Sequence, residues 1–173
     1  MINLEEAYAA TDEVVNNLGE VVGSITRDIT AELDAQIAKL KKGIDTYSNG
    51  DLREIMACIS IETYYVGIAK EQSSLRDACA TALYKEGLAK AYAIAPGAVE
   101  AKKQQAVTDT MDKQAVSILY TTVTNLLKTK IDEAHRIVSV INSILMSRAS
   151  DAKQYYNPRS EQDTMDMNDV ENE

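Results

Sequence analysis

The chain has 173 residues and a formal charge of −9, with no Phe, no Trp, seven Gly and two Pro. That length suits one domain, or a few long helices that complete their core by association. So few helix breakers and no large rings exclude a thick mixed core and point to thin helical packing. The negative charge argues against a simple nucleic-acid binder.

In the first segment Leu4, Tyr8, Thr11, Val15, Leu18, Val22, Ile25 and Ile29 follow a 4-3 spacing. This predicts a helix with a packing seam, which continues through Leu33, Ile37, Leu40, Ile44 and Tyr47 after a shift in register. We expect the helix to span 3–47. At SNGD, residues 48–51, Asn49 and Gly50 suit a left-handed turn and Asp51 an N-cap.

A second helix is predicted over 51–94. Ile55, Ile59, Ile61, Tyr65, Ile68, Leu75, Cys79, Ala82 and Leu83 recur mainly at three, four or seven residues, in a stripe that drifts around the cylinder. Tyr65 reads as core and Tyr64 as a half-exposed ring. Cys58 and Cys79, with no companion Cys and no clustered His, read as small buried apolar residues in a reducing compartment.

APGA, residues 95–98, breaks the helix, because Pro96 disfavours helix at Ala95 and Gly97 permits a turn. A third helix is predicted over 98–155. Its latter half carries Val116, Leu119, Val123, Leu126, Lys130, Ala134, Ile137, Ile141, Ile144 and Arg148 at 3-4 spacing. We expect the apolar members, Val116, Leu119, Val123, Leu126, Ile137, Ile141 and Ile144, to form a self-association seam. A helix of that length is roughly 80 Å long, so it must fold back near TDTMDK or pack against other chains. Residues 157–173, with six acids after Arg159 and little to bury, predict a disordered acidic tail.

The expected fold is therefore all-α: long antiparallel helices closing a bundle or coiled coil, residues 1–156, with further copies of itself as the expected partner. MINLEEAYAA has acids where a signal sequence needs a basic flank, and no apolar run reaches membrane-spanning length. We expect a cytoplasmic protein without a membrane span.

Chemistry for catalysis is sparse. His135, the single histidine, sits in DEAHR among Asp132, Glu133 and Arg136 and reads as an exposed or rim residue. Asp109 with Asp112 lacks the Glu-x-x-His motifs of a di-iron bundle, and the glycines are dispersed singly rather than gathered in a phosphate loop. We expect no enzyme, no cofactor and no metal.

Charge is uneven: residues 100–148 hold seven bases against five acids, whereas both ends are acidic. Lys85 and Lys90 flank Tyr84 and Tyr92, and Lys102 and Lys103 follow the Pro-Gly corner. If the third helix doubles back along the second, these groups form a basic aromatic strip of the kind that single-stranded nucleic acid favours. The alternative is an ordinary solvated helix face.

The run from ETYYVGIAKEQSSLRDACATALYKEGLAKAYAIAPGAVEAKKQQAV through SILMSR, about residues 60 to 148, resembles phage recombination-mediator proteins of the UvsY type in the order and spacing of its elements. The resemblance implies an oligomeric accessory that binds single-stranded DNA and assists a RecA-like recombinase in the cytoplasm of a bacterial host. It makes Lys70, Lys85, Lys90, Lys102 and Lys103 phosphate contacts and Tyr64 and Tyr92 stacking residues. The acidic first 50 residues and acidic tail depart from that pattern. A second reading is a structural or scaffolding protein, a virion component or assembly factor, that self-associates without binding nucleic acid. A third, an acidic DNA mimic, fits less well because an apolar seam interrupts the charges.

Overall fold

The computed structural model describes residues 4–155, as four α-helices and no strand: α1, Leu4–Lys39; α2, Asn49–Ile94; α3, Val99–Thr108; and α4, Met111–Tyr155. The all-α bundle of long antiparallel helices is thus the observed architecture. The acidic tail expected at 157–173 lies outside the described residues.

The predicted first helix ends sooner than its apolar stripe, at Lys39, and two single-turn 3-10 helices, Leu40–Lys42 and Ile44–Thr46, complete the corner. Gly43 joins them at φ +103°, a conformation open to glycine and strained for any other residue. The Tyr47 hydroxyl donates to the Lys39 carbonyl at 2.7 Å, and Arg148 Nη1 donates to the Tyr47 carbonyl at 2.8 Å, tying the corner to α4.

The second helix starts earlier than expected, and its cap is Ser48 rather than Asp51. Ser48 Oγ accepts from the Asp51 backbone N–H while Asp51 Oδ2 accepts from the Ser48 N–H, so two orphan donors of the first turn are satisfied reciprocally. Asn49 and Gly50 are drawn into the helix and neither adopts a left-handed conformation. The expected break at APGA does occur: Gly97 lies at φ +99°, and the Ala95 N–H closes α2 on the Ala91 carbonyl.

The predicted third helix is two. Thr110 donates its hydroxyl to the Ala106 carbonyl and its N–H to the Val107 carbonyl, and Thr108 likewise bonds back to Gln104. Hydroxyls that return to the preceding turn compete with the backbone ladder and bend it, so TDT becomes the joint between α3 and α4.

α2 and α4 form the principal interface. They run antiparallel, with Arg148 meeting Asn49 at one end and Thr81 meeting Ser117 towards the other. The buried line on α2 steps by sevens through Leu52, Ile59, Val66, Ser73, Ala80 and Gly87, falling steadily in size. The large end coincides with a stretch where three helices enclose the main hydrophobic core. There Val22 and Leu33 of α1 join Leu52, Ile55, Ile59 and Val66 of α2 and Val123, Leu127, Ala134 and Ile141 of α4. A three-helix interior has a central space that branched side chains must fill. Beyond Val66 the small residues let α2 and α4 approach closely, and hydroxyls bridge them: Thr124 to Ser73 at 3.1 Å, Thr121 to Asp77 at 2.7 Å, and Thr81 with Ser117 at 2.8 Å.

The seam expected for self-association is largely internal. Val123 and Ile141 are buried, and Leu119, Ile137 and Ile144 pack against the same core. Val116 and Leu126, expected to belong to it, are instead exposed. Leu126 stands about 100° round the helix from buried Leu127, whereas Val116 shares the angular position of Ala134 but precedes Leu119, where the core cluster begins on α4.

Candidate interaction surfaces

α2 presents apolar side chains on two opposite sides. One side is the core line just described. The other comprises Ala57, Ile61, Tyr64, Tyr65, Ile68, Gln72, Leu75, Cys79, Ala82 and Leu83, which at 100° per residue share an arc of about 100°. None of them is charged. Ile61 is 54% exposed, Tyr65 59%, Ile68 41%, Leu75 67% and Leu83 59%.

The expectation that Tyr65 is core is therefore wrong, and so is burial of Cys79, a free and exposed thiol. Sequence spacing merged two stripes into one drifting line. Steps of seven from Leu52 select the inner stripe, and steps of three and four from Ile61 select the outer one. The charged neighbours of the outer stripe stand at its margins: Glu71 pairs with Lys70 at 2.6 Å, and Arg76 lies 5.8 Å from the centre of the Tyr120 ring.

The proposed nucleic-acid residues are only partly brought together. α3 turns back beside the end of α2 and forms a groove of about 540 Å³ lined by Lys85, Leu88, Ala89, Tyr92, Lys103, Ala106 and Val107. Three of the seven predicted positions, Lys85, Tyr92 and Lys103, thus share one groove with an apolar floor. Lys102 is half-buried beside it without lining it. Lys90 projects elsewhere and is held by Glu86 at 2.5 Å; its hydrogen bond, and then its charge, lower the carboxyl's pKa below its ordinary value.

Lys70 and Tyr64 stand apart. Lys70 is fifteen residues from Lys85, roughly 22 Å along the helix. Tyr64 meets Tyr65 edge to face at 5.8 Å and lines a separate depression of about 510 Å³ with Thr63, Ile131 and His135. The imidazole is exposed on the rim, as the sequence indicates. Among the described residues no three His, Cys, Asp or Glu side chains gather as a metal-binding group.

The class defined by this fold and surface is an all-α bundle with an uncovered apolar stripe and a small lysine-flanked groove. None of its described helices is long and apolar enough to cross a membrane. Comparison with protein-family models, with curated proteins and with solved structures gives no match.

Proposed function

We propose that this chain is a non-enzymatic helical assembly protein, a structural or scaffolding component whose outer α2 stripe packs against helices of its own kind. The observation that carries the reading is the stripe itself. Over residues 57–83 it extends roughly 40 Å without a charged side chain, on a helix whose opposite side already fills the core. A helix apolar on both sides belongs in an interior, and an uncovered apolar surface of this extent marks a contact site.

Sedimentation velocity on the intact chain tests it. The expected outcome is a species larger than the 19.0 kDa monomer that falls to monomer when Ile68→Glu and Leu75→Glu are combined. A monomer at every concentration in both proteins overturns the reading.

A second reading is favoured by the groove. Lys85 and Lys103 beside Tyr92 supply phosphate neutralisation and a stacking ring, the pair of features single-stranded nucleic acid needs, in keeping with the resemblance to recombination mediators. Fluorescence anisotropy with a labelled single-stranded oligonucleotide at low salt tests it, with binding expected to weaken in Lys85→Glu and Lys103→Glu. Absence of binding at low salt overturns it.

A further inference from the structure

We infer that two copies of the chain pair antiparallel through the outer α2 stripe, about a two-fold axis passing beside Gln72. The inference rests on the self-association reading above and adds its geometry.

The stripe is self-complementary about that residue. Ile61 and Leu83 each stand eleven residues from Gln72, Tyr65 and Cys79 seven, and Ile68 and Leu75 four and three. An antiparallel two-fold pairing therefore sets Ile61 against the partner's Leu83, Tyr65 against the partner's Cys79, and Ile68 against the partner's Leu75. Large thus faces small at the tyrosine, and branched faces branched elsewhere, as interdigitating helices require. The one polar member of the stripe falls on the axis, where the Gln72 amide can both donate to and accept from its symmetry mate.

Charge selects the same orientation. Glu54 and Lys90 lie on the line of the stripe, each eighteen residues from Gln72, and both are exposed. Antiparallel pairing places Glu54 beside the partner's Lys90 at both ends of the contact. Parallel pairing in register instead sets Glu54 against Glu54, Glu86 against Glu86 and Lys90 against Lys90, three like-charge pairs, and only the last two are offset by the Glu86–Lys90 bridge within each chain. Nucleic acid is a poor occupant, since between residues 57 and 83 the stripe has no cation to meet phosphates. The acidic segment 161–173 is another poor one, having almost no apolar residues to lay on it.

Thiol pairing reads the orientation directly. In the antiparallel dimer the two Cys79 residues lie fourteen residues apart along the axis, about 21 Å, too far for a disulfide. The Cys58→Ala protein, which retains Cys79, should stay uncrosslinked under mild oxidation. Adding Tyr65→Cys places a thiol opposite the partner's Cys79, so this variant should run as a covalent dimer on a non-reducing gel. Within one chain positions 65 and 79 are likewise about 21 Å apart, so the new bridge must be intermolecular. Position 65 is exposed, and circular dichroism together with sedimentation verifies that the variant keeps fold and assembly.

A covalent dimer formed through Cys79 alone overturns the inference in favour of parallel packing. A protein that sediments as a dimer sensitive to Leu75→Glu, yet gives no bridge with Tyr65→Cys, overturns the antiparallel register while the self-association reading stands. A monomer throughout overturns both.

Discussion

Thr26 is buried on the inner side of α1, and its hydroxyl meets no hydrogen-bond partner among the described residues. An unsatisfied buried hydroxyl carries its full desolvation penalty, whereas a methyl of the same shape carries none. Thr26→Val should therefore raise stability by about 1 kcal/mol, read as a higher urea midpoint at unchanged slope. Ser48 stands at the opposite extreme, with every capping contact made. Ser48→Ala should lower stability by about 1 kcal/mol, and the loss should shrink in acid. Hydrogen bonds from Ser48 hold the Asp51 carboxyl below its ordinary value of 3.8. Its contribution is complete above that pH and disappears as pH falls through the lowered folded-state value. Urea titrations of both proteins at neutral pH and near pH 2.5 check the convergence.

At the scale of the helices, the contrast between the two ends of α2 is a packing rule that substitutions can read. Ala80 is buried on the inner line of α2, next to the Thr81–Ser117 contact with α4. Ala80→Leu must force the two helices apart or adopt strained rotamers, and should destabilise by about 1–3 kcal/mol. Gly67 lies in the same helix, yet a Cβ built there meets nothing within 4 Å. Gly67→Ala should stabilise by about 0.5–1 kcal/mol through helix propensity alone. Thermal unfolding of the pair checks both signs. Long antiparallel helices and the break at APGA were legible in the sequence, because breakers and apolar spacing are local signals; the first corner was expected at SNGD but is built by the 3-10 turns just before it. The allocation of faces was not. Ile61, Tyr65 and Ile68 have the spacing of a core, and nothing in their own chemistry reveals that Leu52, Ile59 and Val66 already fill it. The groove was legible only as scattered lysines around a corner, since bringing Lys103 to Tyr92 depends on where α3 turns. The joint at TDT was visible only as a region where the long helix had to change course, because it depends on hydroxyls bonding back to the preceding turn.

For the molecule as a whole, the division between inner and outer faces separates folding from assembly. Ile137 packs against the core shared by three helices, so Ile137→Asp should unfold the chain more readily, by about 2–4 kcal/mol. Leu75→Glu alters an exposed position and should change monomer stability by less than about 0.5 kcal/mol while weakening association. The same separation limits what the groove can do. Two lysines neutralise two phosphates, so the logarithm of affinity for single-stranded DNA should fall with the logarithm of salt at a slope of about −1.4. Between 50 and 200 mM salt that is only about a sevenfold loss. The rest of the surface adds little attraction, since the net charge of −9 repels polyanions at long range. A measured slope near −1.4, abolished by Lys85→Glu with Lys103→Glu, assigns binding to the groove. A much steeper slope requires cations from several copies acting together, and it should then collapse to the shallow value when Leu75→Glu dissolves the assembly. Anisotropy titrations on the native and Leu75→Glu proteins at matched salt decide between one groove and a shared surface.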